Sequence, residues 1–268
     1  MPETLSSAEL VVLAAALDSN ASPWIEDSAL LALDRPILIK RLEGAREGLE
    51  LREIAKARPD GSLSVLPPIE GLLRDALGAT LGFEMQVARA REPAERLQVG
   101  MTGAGGVAHR WLAGEGHLFY RLAGPAEIAD EVMKLGAAGM PNPVEAREYR
   151  IPHAVMTALA REPAEPEPSL RAMLTGAGVS PQDVEALLRT GLAPASQCVF
   201  WSIGLRGEQL QAWALMWFAD AISGWMITNF DETGQVTLQT AGEADVRRAV
   251  DAVIAAATQA AASASRVN

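Results

Sequence analysis

Residues 106–138 read GVAHRWLAGEGHLFYRLAGPAEIADEVMKLGAA, and residues 224–256 read GWMITNFDETGQVTLQTAGEADVRRAVDAVIAA. At a constant offset of 118 positions, Gly106 falls on Gly224, Gly116 on Gly234, Gly124 on Gly242 and Ala126 on Ala244. The apolar positions Ile128, Val132 and Leu135 fall on Val246, Val250 and Val253. Further upstream, with an offset three residues shorter, Glu70, Leu72, Leu73, Arg74 and Leu77 fall on Glu185, Leu187, Leu188, Arg189 and Leu192. Equal glycine spacing fixes equal turns, and equal apolar spacing buries the same helix face. The chain reads as one unit used twice.

Each copy has the same local pattern. An amphipathic helix opens it, at 67–79 and at 180–190, the second with Ser180-Pro181 as a cap followed by proline at the first helical position. Four short β-branched or aromatic runs follow, near 83–90, 96–102, 107–112 and 117–122 in copy one and 198–205, 210–218, 224–229 and 235–240 in copy two. Asp231-Glu232-Thr233-Gly234 and Arg206-Gly207-Glu208 supply turn chemistry between runs of the second copy. A closing amphipathic helix ends each copy, the second running from Gly242 to about Ser263. Strands joined by loops this short pair as an antiparallel meander, because parallel neighbours need a long crossover. The expected fold is therefore α+β: an antiparallel sheet with helices on one side, in two pseudo-two-fold-related helix–meander–helix halves. Copy two's runs, VFWSIGL and AWALMWF, are almost continuously apolar and read as central or covered on both faces. Copy one's LQVGMTGAGGVAHRWL is more polar and glycine-rich, which places it at an edge or with an exposed face.

Outside the repeat, residues 1–66 read as an N-terminal helical region. It opens with a capped helix (Ser6-Ser7-Ala8-Glu9-Leu10), continues with a helix near 27–33, and has helical pattern over 36–57 broken near Gly44 and Gly48. Residues 67–138 form the first α+β repeat, and 180–268 the second with a long C-terminal helix. Between them, 139–179 is a proline-rich, semi-extended connector with short helices, containing Pro141, Pro143, Pro163, Pro166 and Pro168. The whole is read as one compact body.

Composition excludes several classes of function. The 268 residues carry 34 acids against 23 bases, a net charge of −11. That balance argues against nucleic acid, where affinity comes mainly from Lys and Arg on phosphates. Cys198 is the one cysteine, so no internal disulfide and no thiolate zinc site can form. The N-terminus lacks a basic segment before an apolar run, and 210–227 is interrupted by Gln211, Asp220, Ser223 and Gly224. A cytoplasmic protein without a membrane span is expected.

The residues that could carry chemistry read as structural. Gly103-Ala104-Gly105-Gly106 resembles a phosphate loop, but a strand follows where a nucleotide cradle needs a helix. His109 and His117 lie on two arms of one hairpin and are able to face each other, yet no third ligand stands at useful spacing from them or from His153. Cys198 sits among Gln197 and Val199-Phe200-Trp201, a setting for a buried thiol rather than a nucleophile. No catalytic residue, cofactor or metal site is therefore expected. Trp201, Trp213, Trp217 and Trp225 read as core, whereas Trp111 stands between core and interaction surface. Copy one's hairpin keeps glycine at its tip beside Met101, Thr102 and Val107, with Trp111 further along the arm. Adaptable methionine and anchoring tryptophan make these four residues the expected partner-binding site.

This pattern resembles the EspG family, the cytosolic chaperones of actinobacterial type VII secretion. The resemblance rests on the early helix Leu5-Ser6-Ser7-Ala8-Glu9-Leu10, on the stretches 95–111 and 116–135, and on the closing section. That section runs Asp231-Glu232-Thr233-Gly234-Gln235-Val236-Thr237-Leu238 and then Glu243-Ala244-Asp245. It covers most of the chain as a pattern of elements and carries over no individual functional residue. The resemblance implies no enzyme activity. It implies a protein that caps the helical tip of a PE–PPE heterodimer and keeps that client soluble for export. Two other readings stand beside it: an α+β binding protein of unknown role, and a small-molecule enzyme with a site between the halves; a homodimer is compatible with each. Neighbouring PE/PPE or secretion ATPase genes would separate the first from the others.

Overall fold

The computed structural model describes residues 3–17, 30, 32–77, 79, 81–103, 105–112, 116–160, 167–206, 209–228 and 234–264. The helix expected near 27–33 and the Asp231–Thr233 part of the expected turn lie outside them for the most part. The described residues form eight helices and twelve strands, ten of the strands in one antiparallel sheet. The chain divides into two compact units, residues 1–82 with 97–124, and residues 83–96 with 125–268.

In the first unit, β1 (Glu3–Leu5) leads into α1 (Ser7–Ala16) and α2 (Arg35–Leu51). A small hairpin of β2 (Ala55–Ala57) and β3 (Leu63–Val65) precedes α3 (Pro67–Leu77). The first meander begins with β4 (Leu81–Arg89), which belongs mostly to the second unit, and continues with β5 (Glu95–Thr102), β6 (Gly105–Leu112) and β7 (Gly116–Leu122). Within this unit the strand order is β1-β7-β6-β5. Ser6 caps α1 reciprocally: its hydroxyl accepts from Glu9 N–H at 3.2 Å, and its own N–H donates to Glu9 Oε2 at 2.7 Å. Leu10, Leu13, Leu49, Leu72 and Leu73 on the helices join Val107 and Phe119 on the sheet in one buried cluster.

The second unit contains α4 (Pro125–Gly136), β8 (Glu148–Pro152), α5 (His153–Ala160), α6 (Glu167–Gly176) and α7 (Pro181–Leu192). The second meander follows as β9 (Ser196–Arg206), β10 (Gln209–Ala219), β11 (Gly224–Thr228) and β12 (Gln235–Thr240), closed by α8 (Glu243–Ala264). The strand order here is β4-β9-β10-β11-β12-β8. Both copies thus show helix, four consecutive antiparallel strands and helix. Their shared glycines behave alike: Gly116 has φ +99 and Gly234 φ +74, a region other residues rarely occupy. Ile128, Val132, Val246 and Val250 are all fully buried.

Several expectations are corrected. Helices cover both faces of the second unit's sheet rather than one. Phe218, Trp225 and Val236 pack with α5, α6 and α7, while α8 runs along β9 and β10 on the other face. The pattern over 36–57 is not broken at Gly44 and Gly48; α2 runs through both. Gly48 leaves room for Glu9, whose Oε1 would lie 3.6 Å from an added Cβ. The connector contributes a strand, β8, paired with β12 at the sheet margin, where Pro152 needs no ladder donor.

Asp220 shows how sequence fixes one of these turns. Its Oδ1 accepts from Ile222 N–H at 2.7 Å and Ser223 N–H at 2.6 Å, and Oδ2 accepts from Arg189 and the Thr190 hydroxyl, both at 2.8 Å. Burial pushes its carboxyl up, but these donors outweigh that and hold it at about 2. The folded value lies below the unfolded one, so the contribution to stability is present above pH 4 and is lost as pH falls toward 2. We expect Asp220→Asn to cost about 2 kcal/mol at pH 6 in urea unfolding, a difference that closes by pH 2.

Candidate interaction surface

The four residues expected to bind a partner do not form one accessible patch. Met101 is 4% exposed and Val107 1%, so both are core. Val107 packs beneath α1 in the cluster with Leu10 and Leu13. Helices from the N-terminal region therefore cover the face that the sequence leaves open. Thr102 and Trp111 are half-buried, and they stand near opposite ends of β6, roughly 20 Å apart at 3.3 Å per residue. The expected exposed face of copy one is likewise corrected: Gly106, Val107, Ala108 and His109 are all buried.

His109 and His117 do face each other, and both are buried. Register explains the contact: His109 lies opposite Phe119 and Trp111 opposite His117, so all four rings share one face. His109 stacks on Phe119 at 4.4 Å between centroids, and Trp111 lies over His117 at 6.4 Å. A hydrogen-bond chain threads the stack. Ser7 Oγ stands 2.9 Å from His117 Nε2, His117 Nδ1 2.8 Å from His109 Nε2, and His109 Nδ1 3.2 Å from Gln98 Oε1. Gln98 Oε1 only accepts, so His109 Nδ1 carries a proton, His117 Nδ1 donates to His109 Nε2, and the Ser7 hydroxyl donates to His117 Nε2. One set of neutral tautomers satisfies every link. The pair is a structural relay under α1. We expect His109→Leu to leave His117 Nδ1 without this acceptor and to cost about 1–3 kcal/mol, measured by urea unfolding.

Cys198 is equally committed. It is fully buried, its thiol donates to Gly136 O at 3.3 Å, and burial pushes its pKa up to about 12. Among the described residues no three His, Cys, Asp or Glu side chains cluster as a metal site, and no helix is long and apolar enough to cross a membrane.

Accessible apolar surface is found in the second copy, where the sequence predicts core. β9 and β10 pair along their full length, from Ser196↔Ala219 to Arg206↔Gln209. Near the sheet centre Cys198, Phe200, Leu215, Trp217 and Phe218 are buried. Toward the hairpin end the cover stops: Ile203 is 54% exposed, Ala212 opposite it is exposed, and the next pair, Trp201 and Ala214, is half-buried. Directly paired residues share a face, so these four make a continuous apolar strip. On the other face of the same strands, Trp213 helps to line an open groove of about 650 Å³ with Met226, Gln239, Arg248 and Ala252. The small alanines of α8 leave that groove unfilled. A hairpin arm with an uncovered apolar strip and a tryptophan-lined groove suits contact with another protein. Continuous apolarity in the sequence gave no sign that cover ends halfway along the strand. Only the length of these strands, eleven residues each, marks the arm as long.

No protein-family profile matches the sequence, and no curated protein matches it. Among solved structures, the chain is similar to the Mycobacterium tuberculosis type VII secretion system chaperone EspG5, solved in complex with a PE25–PPE41 dimer. The two share 14% sequence identity and superpose with a TM-score of 0.69 over 95% of this chain and 96% of that one. The fold is EspG-like. At this identity the likeness establishes architecture rather than activity.

Proposed function

We propose that this chain is a cytosolic chaperone that works by binding a helical client protein, without a reaction of its own. The observation that carries the reading is the match of the whole fold to a secretion chaperone, end to end in both chains. Two further observations support it. The side chains that catalysis would recruit first, His109, His117 and Cys198, are spent on internal packing. A partly exposed apolar strip, Trp201 and Ile203 with Ala212 and Ala214, stands on a long hairpin arm. We assign the client contact to that strip. The client class is a PE–PPE-type pair, as in the complex of the similar chaperone.

Co-expression tests this. A PE–PPE-type pair encoded in the same genome is expected to be soluble only with the chaperone present. Ile203→Glu, a change at an exposed position, is expected to return the pair to the insoluble fraction. A pair equally soluble without the chain, or a genome with no such pair, would overturn the client assignment.

A further inference from the structure

The groove between α8 and the strands β10–β12 has the make-up of a small-molecule site. It measures about 650 Å³ and lies wholly within the second unit, on the face of β10 opposite the strip assigned to the client. Trp213 and Met226 give it apolar lining, and Ala249 and Ala252 of α8 leave the space open. Cavities that hold small ligands fall in this size range and combine a mostly apolar lining with a few polar groups.

Two such groups are present. Thr228 and Gln239 line the groove half-buried, and neither side chain makes a hydrogen bond among the described residues. Gln239 lies opposite Met226, two residues from Thr228 on β11, so the two polar groups share one face. A hydroxyl and a carboxamide each donate and accept. The charges lining the same groove cancel: Asp245 Oδ1 accepts from Arg248, while Oδ2 accepts from Gly242 N–H at 2.9 Å. The groove thus offers hydrogen bonds without net charge.

The opening is particular to copy two. At the offset of 118, Arg110, Arg121, Glu131 and Lys134 of copy one stand at the positions of Thr228, Gln239, Ala249 and Ala252. Four long charged side chains in one copy correspond to four shorter, uncharged ones in the other. The space is therefore not a by-product of the repeated architecture.

We propose that this groove binds an uncharged aromatic small molecule with an amide-type head. The ring packs on Trp213 and Met226, and the head exchanges hydrogen bonds with Gln239 and Thr228. An amide answers Gln239 in kind, donor to acceptor and acceptor to donor. A carboxylate offers no donor and meets Asp245 in a chain of net charge −11. An ammonium offers no acceptor and meets Arg248. These observations are independent of the client reading.

The test is isothermal titration of the full chain with 1-naphthaleneacetamide, with the isosteric carboxylate 1-naphthaleneacetate as control. One amide per chain is expected, bound at least about fivefold more tightly than the carboxylate. Ala252→Phe fills the groove from an exposed position and is expected to lower amide affinity at least about tenfold. Thr228→Val/Gln239→Leu should erase the preference for the amide. Ile203→Glu should leave binding unchanged, which separates this site from the client strip. An unchanged melting temperature confirms the fold of each variant. The proposal is overturned if the amide does not bind, if the carboxylate binds equally, if Ala252→Phe leaves binding unchanged or if Ile203→Glu removes it. It is equally overturned if Ala252→Phe abolishes self-association or capture of the client pair while the amide does not bind, because a protein is then the occupant.

Discussion

Gly136→Val is expected to be the most destabilising single change in the second unit, costing about 3 kcal/mol or more. Gly136 ends α4 at its closest approach to the sheet. A Cβ there would lie 2.1 Å from Met85 Cε, 2.8 Å from Cys198 Sγ and 2.8 Å from Trp217 Cζ2. Met85 has a flexible end, but Trp217 is fixed by its indole N–H, which donates to Gly136 O at 2.7 Å. Relieving the clash therefore moves the helix off the sheet and breaks that hydrogen bond. A chain of this size should lose roughly 6–12 °C in melting temperature. Gly176→Ala is the control: nothing lies within 4 Å of its Cβ position, and its melting temperature should stay level or rise slightly. Equal effects of the two changes would show that the α4 contact is not tight.

Gly224→Ala and Gly106→Ala occupy the same place in the two copies but should differ in cost. At Gly224 the added Cβ would stand 2.3 Å from the carbonyl oxygen of Ala241, a backbone atom at the end of β12 that cannot rotate aside. Ala241 N–H also donates to Gly224 O at 2.9 Å, so separating the strands costs a ladder bond as well. We expect about 3 kcal/mol. At Gly106 the nearest backbone atom is Gly100 O at 3.2 Å, which gives by a few tenths of an ångström, so about 1 kcal/mol is expected. Urea midpoints of the two variants check the order; a cost at Gly106 equal to or above that at Gly224 would contradict it.

The glycines and helix faces made the repeat legible because they act locally. Gly116 and Gly234 both needed positive φ, and Ile128 and Val246 both needed the core side of a helix, whatever lay around them. Cover is not local. Val107 and Met101 read as exposed because nothing in their own strand shows what packs on them; α1 decides the matter for Val107. Trp201 and Ile203 read as buried because apolar runs do not reveal where neighbouring helices stop. β1, β2, β3 and β8 were missed because each is only three to five residues long and exists through its partner. The His109–His117 contact was within reach, since hairpin register alone brings the two arms together. Its burial was not.

We propose that this fold binds a helical client through the β9–β10 arm. The most direct measurement is the mass of the complex by light scattering on a sizing column, with the purified chain mixed with a PE–PPE-type pair from the same genome. The expected result is a single species whose mass equals one chain plus the pair, and its disappearance in Ile203→Glu/Ala212→Glu, two exposed positions, while the chain alone keeps its melting temperature. Separate elution of the wild-type chain and the pair, or a complex that survives both substitutions, would contradict it.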